Sequence, residues 1–473
     1  MHGFESAGPA PVDTSTGPWW KLLNRYHWFV LVVAALGWLF DTMDQQLFNL
    51  ARKPAMTELL KEPGQTKEQL NTLVDFYGPL ATSIFMIGWA TGGLIFGVMG
   101  DRVGRAKVML WTILIYSACT GLSALSVGFW DFAFYRFLTG LGVGGEFAVG
   151  VSLVAEVMPN RARPFALGLL QALSAVGNIS AALLNIALGQ VEAQHGLDHL
   201  AVGDTPIKAW RILFVIGTVP ALLAIFIRRN LKEPETWKAQ LDSNVGKQLG
   251  SFGELFSDPR WRWNAITGLI LASSGIIGLW GIGFFSFDLL SPVFRRYFEQ
   301  QGLSGAEVNG KVATWVGITS VMQNIGGFLG IYAYSHITHY VGRKPAFAVS
   351  FVAALISTAL VYWQLDQFHE IFWMIPLMGF CQLALFGGYA IYFPELFPTR
   401  LRSTGTSFCY NVGRYVAAIG PFALGMLTTQ VFSAANGYTE GIRYAGVTMC
   451  SIFILGLLVL PFAPETRGQP LPE

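Results

Sequence analysis

The sequence predicts an all-α membrane protein: twelve transmembrane helices in two pseudo-symmetric six-helix bundles. Three observations predict it. The 473 residues are 53% hydrophobic and 13% charged, with 53 Gly, 36 Phe and 15 Trp, whereas a soluble globular chain is nearer a quarter charged. Twelve runs are long and apolar enough to cross a hydrocarbon core, which takes about 20 residues per helix. Short motifs at the ends of these runs recur in the same order in both halves.

Taken in order, residues 1–26 form a cytoplasmic tail. Its first 18 residues are polar and rich in Pro and Gly, so no cleavable signal peptide is expected. The apolar runs follow at 27–50, 78–100, 107–127, 130–156, 165–189, 209–231, 263–291, 312–336, 345–364, 370–394, 403–430 and 441–463. They divide into an N-terminal bundle (27–231), a polar linker (232–262), a C-terminal bundle (263–463) and a tail (464–473). Alternating the ends puts most of the Lys and Arg on the side of the termini, among them Lys21, Arg25, Arg228, Arg229, Lys247 and Arg467. The positive-inside rule then places both termini in the cytoplasm, and the expected location is the plasma (inner) membrane. The net charge of +2 gives no reason to expect nucleic acid. Cys119, Cys381, Cys409 and Cys450 all fall inside apolar runs, with neither disulfide nor metal spacing.

The repeat is specific. VGR occurs at 103–105 and 341–343, and E-x-x-P-x-R-x-R at 156–163 and 395–402. Pro234-Glu235-Thr236 returns as Pro464-Glu465-Thr466. An even number of spans per half makes the two repeats parallel, an arrangement used by two-bundle secondary transporters.

Charges inside the spans are the functional candidates, because ionisable groups in a bilayer are costly. Asp41 and Asp44 lie three residues apart in WLFDTMDQQLFNL, on one helical face. Arg136 enters its span at a similar depth, so the three are expected together, either as a structural pair or as a proton-coupling site. Arg414 lies near the middle of the eleventh span, and Asp288 in the seventh is nearer the outer end. Arg414 should therefore face Glu146 or grip a bound carboxylate. Gln171, Asn178, Trp280, Gln323, Asn324, Gln382, Tyr389 and Asn411 are further cavity candidates, although membrane amides more often bond a neighbouring helix. GLGVGG at 140–145 lies mid-span, where small residues permit close helix approach and a dinucleotide loop has no strand to follow. No enzyme constellation and no cofactor motif appears.

These motifs resemble the major facilitator superfamily. GVMGDRVGRAK (97–107) resembles its loop signature, Arg136 to Gly140 its fourth-helix R-x-x-x-G, and PETRG (464–468) the ending of sugar porters. Asp41-Thr-Met-Asp44 resembles the D-G-x-D of aromatic-acid and sialate-type proton symporters, with Thr42 in place of Gly. Gly413-Arg414 followed by Gly420-Pro421 is similar to organic-anion members. The resemblance implies two bundles around one cavity that opens alternately to each side. It also implies a cytoplasmic latch of Asp101, Arg102, Gly104, Arg105, Glu156, Arg161, Arg163, Gly342, Arg343, Glu395, Arg400 and Arg402, with Glu156 matched to Arg161 and Arg163, and Glu395 to Arg400 and Arg402.

The favoured expectation is a proton-coupled symporter of a small organic acid, acting as a monomer. A sugar carrier is the alternative, and a non-transporting receptor of the same fold a remoter one.

Overall fold

In the computed structural model the first two long helices begin where the sequence supplies caps. The structure describes residues 18–193, 201–202, 205–222, 231–242, 249–283, 286–303, 305–417, 419–432 and 440–472. The N-terminal 17 residues, the end of the sixth span with Arg228 and Arg229, and Lys247 lie outside the described residues.

Helix α1, Arg25–Leu59, starts behind Asn24, whose side chain accepts from the His27 N–H at 2.8 Å while the His27 ring accepts from the Asn24 N–H at 3.3 Å. Helix α2, Lys67–Val103, opens with the same reciprocal device on Thr66 and Gln69. Gly104, at φ 120°, turns the chain directly into α3, Arg105–Ser123. A side chain is disfavoured at that φ, and a Cβ there would strike the Glu233 carboxylate. The Asp131 carboxylate takes the free N–H groups of Val127 and Gly128 at the start of α4, Phe129–Val157. Helices α5, Arg163–Ala193, and α6, Ala209–Ile216, complete the first half, with a two-residue hairpin pairing Ala201 with Pro206 between them.

The linker carries two short helices, α7 (Glu235–Asp242) and α8 (Phe252–Ser257). The second half runs through α9 (Pro259–Ile277), α10 (Ser286–Gln300), α11 (Gly305–Val341), α12 (Arg343–Gln364), α13 (Ile371–Leu396), α14 (Arg402–Ala417), α15 (Gly420–Met426), α16 (Gly441–Met449) and α17 (Ile452–Val459). The seventh span is not the unbroken run expected over 263–291. It loosens into a π turn at Gly278–Ile282, where Gly275, Gly278, Gly281 and Gly283 crowd together, and resumes as α10. The eleventh breaks before Gly420-Pro421, and Pro421 falls in the first turn of α15, where its missing N–H costs no helical bond.

Among the described residues, nine helical stretches are long and apolar enough to cross a membrane. The other three predicted spans fall on α6 and the segment after it, on α11, and on α14–α15. Exposed side chains such as Ile87, Ile95, Leu114, Val349 and Leu458 give the outer surface an apolar coat, while Asp41, Asp44, Arg136, Glu146 and Arg414 are all buried. That partition suits a bilayer, where charge must point inward.

Each half repeats the same pairings: α2 on α4, α1 on α5 and α3 on α4 correspond to α11 on α13, α9 on α14 and α12 on α13. The register is equally repeated. A Cβ on Gly88 would run into the Phe137 carbonyl, and one on Gly326 into the Pro376 carbonyl. Gly140, from GLGVGG, lies against the Phe85 carbonyl as Gly379 lies against that of Gln323. The halves meet along two seams, α2 with α14 and α5 with α11.

Candidate functional site

The carboxylates of α1 separate. Asp44 accepts from Thr120 Oγ1 at 2.7 Å and from Arg136 Nη1 at 3.5 Å. Arg136 also donates from Nε to Ser123 at 3.0 Å and from Nη2 to Thr139 at 3.0 Å. The rings of Phe214, Phe48 and Phe132 close around it at 4.7, 5.6 and 6.0 Å, a cation–π cage. Asp41 does not join this group, contrary to the expectation that both acids face Arg136. Its carboxyl faces Glu146 of α4 and the Tyr116 hydroxyl of α3. A step of three residues turns a helix by about 300° and climbs about 4.5 Å, enough to give neighbouring acids different partners.

Glu146 therefore does not reach Arg414. The Arg414 guanidinium lies over the rings of Trp89 and Tyr410, at 4.0 and 4.3 Å. Nη1 donates to the Tyr410 carbonyl at 2.8 Å and to Asn411 Oδ1 at 3.1 Å, and Nε has no hydrogen-bond partner among the described residues. Arg414 forms no ion pair with a described residue. It lines a cavity between the two halves with a free volume of about 60 Å³, room for a few waters.

Gln171, Asn178, Trp280, Gln323 and Asn324 line the same cavity. Asn178 Nδ2 donates to Asn324 Oδ1 at 2.9 Å, a hydrogen bond across the α5–α11 seam. Gln382, Tyr389 and Asn411 lie off it. Gln382 donates to Thr358 at 2.7 Å and Tyr389 to the Leu271 carbonyl at 2.6 Å, each tying helices inside the second half. Asn411 sits behind Arg414, accepting from it and donating to Ser407 at 3.0 Å. Sequence reasoning missed Trp38, Gln45, Gln46, Trp89 and Tyr410 on the cavity wall. Gln45-Gln46 carried the same signal as Gln323-Asn324, adjacent amides in an apolar run; the aromatic residues carried none, because packing explains most of them.

At the face that bears both chain ends, the two halves are tied together. Asp101 of α2 accepts from the backbone N–H of Ser403 at 3.1 Å, from that of Thr404 at 2.8 Å and from the Thr404 hydroxyl at 2.7 Å, so it caps α14 from the opposite half. It also pairs with Arg105 at 2.9 Å. Glu156 joins Arg105 at 3.0 Å and, across the seam, Arg402 at 2.8 Å. Glu156 was expected to pair with Arg161 and Arg163. Instead Arg163 donates to the Ala155 carbonyl at 2.8 Å and to Asn160 at 2.6 Å. Glu395 takes Arg343, not Arg400 or Arg402, at 2.8 and 2.9 Å, the bidentate fork that suits guanidinium and carboxylate. Arg400 goes to Glu254 of the linker at 2.5 Å, and Arg102 to the Leu249 carbonyl at 3.0 Å. Gly342, at φ 102°, repeats the turn of Gly104.

The comparisons with known proteins agree with this architecture. The model of the Major Facilitator Superfamily matches residues 34–421. A putative metabolite transport protein of Haemophilus influenzae is 29% identical over 455 residues, covering 95% of this chain and 99% of its own length. The cis,cis-muconate transport protein of Acinetobacter baylyi is 28% identical over 392 residues, covering 82% and 85%. Among solved structures, the proton:xylose symporter XylE bound to 6-bromo-6-deoxy-D-glucose superposes with a TM-score of 0.70 at 15% identity, covering 94% of this chain and 98% of that one. At that identity the likeness is one of fold.

Proposed function

The chain belongs to the major facilitator superfamily, and from that premise we propose that it is a secondary active transporter carrying a small organic carboxylate together with a proton. The observation that carries this reading is Arg414: a buried guanidinium on the cavity wall, lying over the rings of Trp89 and Tyr410 and unpaired with any described carboxylate. A lone cation so deeply buried calls for an anion, and the fork geometry of guanidinium matches a carboxylate. The muconate protein of Acinetobacter baylyi, named for a dicarboxylate, is consistent with that class.

The rest of the cycle follows from charge. A carboxylate arriving at Arg414 neutralises it, and a proton arriving at a buried carboxyl of α1 neutralises that. Both steps lower the cost of closing the cavity in a low dielectric. The latch of Asp101, Arg105, Glu156 and Arg402 is closed in this structure, so release to that side requires these bonds to part. By the positive-inside rule that side is the cytoplasm, with the chain in the cytoplasmic membrane. One chain lines the cavity, and the proposed unit of transport is the monomer.

The test is purified protein in proteoliposomes with an imposed pH gradient, challenged with a panel of labelled carboxylates including cis,cis-muconate and nicotinate, each against excess hexose. The reading expects a carboxylate to accumulate with the gradient and hexose not to compete. Accumulation of a hexose instead, with carboxylates inert, would replace it with the sugar-carrier alternative.

A further inference from the structure

The symport reading needs a proton carrier, and the sequence nominated three residues for it: Asp41, Asp44 and Arg136. The structure divides them. Asp44 is fully provided for, with Thr120 at 2.7 Å and Arg136 at 3.5 Å. Asp41 and Glu146 are the opposite. Both are completely buried, and neither oxygen of either carboxyl has a hydrogen-bond partner among the described residues. Tyr116, also completely buried, aims a third unpartnered oxygen at the same place. The titratable groups facing Asp41 are Glu146 from α4, Asp44 from its own helix and Tyr116 from α3. The Arg136 guanidinium is already held by Asp44, Ser123 and Thr139.

Two carboxyls in contact, away from water and without a cation, cannot both be charged. The arrangement becomes comfortable when one proton lies between them, because the neutral acid then donates to the ionised one. We propose that Asp41 and Glu146 together hold the transported proton, with Tyr116 as an auxiliary donor, while Asp44 and Arg136 remain paired and position α1 against α3 and α4. This rests on the symport reading above and assigns its proton.

The pair lies one layer behind the solute cavity. Phe147, the residue after Glu146, packs its ring on Trp38 at 4.3 Å and on Tyr410 at 4.2 Å. Trp38 is one turn before Asp41, and Tyr410 bears the Arg414 guanidinium. This aromatic wall separates the pair from the cavity, and it touches the group that is proposed to bind the solute. The Glu146 carboxyl is lodged against Gly37, where a Cβ would collide with Oε1, so Gly37→Ala displaces it without removing any acid.

The test has two readouts. The first needs no solute: the infrared carbonyl band of a protonated carboxyl, recorded on purified protein at neutral pH. The proposal expects this band in the wild type and a shift in its frequency in both Glu146→Gln and Asp41→Asn, because the partner of the shared proton changes from a carboxylate to an amide. A band unchanged in both variants, or absent from the wild type, overturns the assignment while leaving the symport reading standing. The second is transport of the carboxylate that the panel identifies. A pH gradient of about one unit supports about tenfold accumulation per proton. Glu146→Gln should bring accumulation to equilibration, yet still exchange labelled for unlabelled solute at equal pH. Should Glu146→Gln fail to fold, Gly37→Ala is expected to lower accumulation in the same way. Full gradient-driven accumulation by either variant overturns the assignment. If the wild type accumulates no carboxylate, the symport reading falls and the coupling role falls with it, whatever the infrared band shows.

Discussion

Arg414 and Asp44 show how two buried charges of one molecule are handled in different ways. Arg414 lies against two rings and spends Nη1 on the Tyr410 carbonyl and Asn411, while Nε stays without a hydrogen-bond partner among the described residues on the cavity wall. Arg414→Gln should therefore keep the fold and weaken carboxylate binding about a hundredfold, from the loss of about 2.7 kcal/mol of charge-assisted hydrogen bonding. Binding assays or the KM of uptake would measure it. Asp44→Asn should act on stability instead. It strands Arg136 as a buried cation with two hydroxyls and three rings, a loss of about 3 kcal/mol by the usual cost of breaking a buried pair, visible as a lower unfolding temperature in detergent. That these residues mattered was legible in the sequence, since charges in apolar runs stand out. Their partners were not. Asp41 and Asp44 share a helical face, but a rotation of about 60° between them sends one to Glu146 and the other to Arg136, and only the packing of α3 and α4 decides which.

Helix ends carry the latch, and here the repeat was the better guide. VGR and E-x-x-P-x-R-x-R marked equivalent turns, and the structure places Arg105 with Glu156 and Arg343 with Glu395 as matching pairs. The seams match too: Gly97 packs on Ser407, and Ser335 on Gly168, the same contact with the small and the larger residue exchanged. The repeated Pro-Glu-Thr misled by two residues. Glu465 accepts from the N–H groups of Arg343 and Lys344 at 3.0 Å each, but its counterpart at the start of α3 is Glu233, bound to Ala106 and Lys107 at 3.1 Å each, and not Glu235. A motif match cannot see a shift in the loop that delivers it. Burial pushes the Glu465 carboxyl up, but the N–H groups of Arg343, Lys344 and Arg467 outweigh it and hold it below the usual carboxylate range. Such a group stabilises the fold above its ordinary value of 4.5 and loses that contribution as pH falls through its lower folded value. The difference in unfolding temperature between wild type and Glu465→Gln should accordingly be largest near neutrality and shrink below about pH 4. Asp101 presents an anion to the positive end of α14 across the seam. Asp101→Asn should favour the conformation open at the terminal face, raising the thiol-labelling rate of an Asn324→Cys reporter from that side.

The two halves close on each other at one face and leave a small polar chamber between them, with Arg414 on one wall and the carboxyls of α1 and α4 behind the other. Span number, repeat and pseudo-symmetry followed from hydrophobic run length and spacing, which bilayer thickness dictates. The break in the seventh span did not, because glycines that loosen a helix look in sequence like glycines that pack one. Nor did the chamber's aromatic lining, since Trp and Phe are abundant throughout. On the proposed reading, a carboxylate on Arg414 and a proton on the acid pair are both needed before the chamber can close. The most direct measurement is proton movement in lightly buffered vesicles on adding the transported carboxylate. With solute outside, the medium should turn alkaline as proton and anion enter together, and Arg414→Gln should abolish the change. Solute entry with no pH change, at a rate indifferent to the pH gradient, would contradict the account.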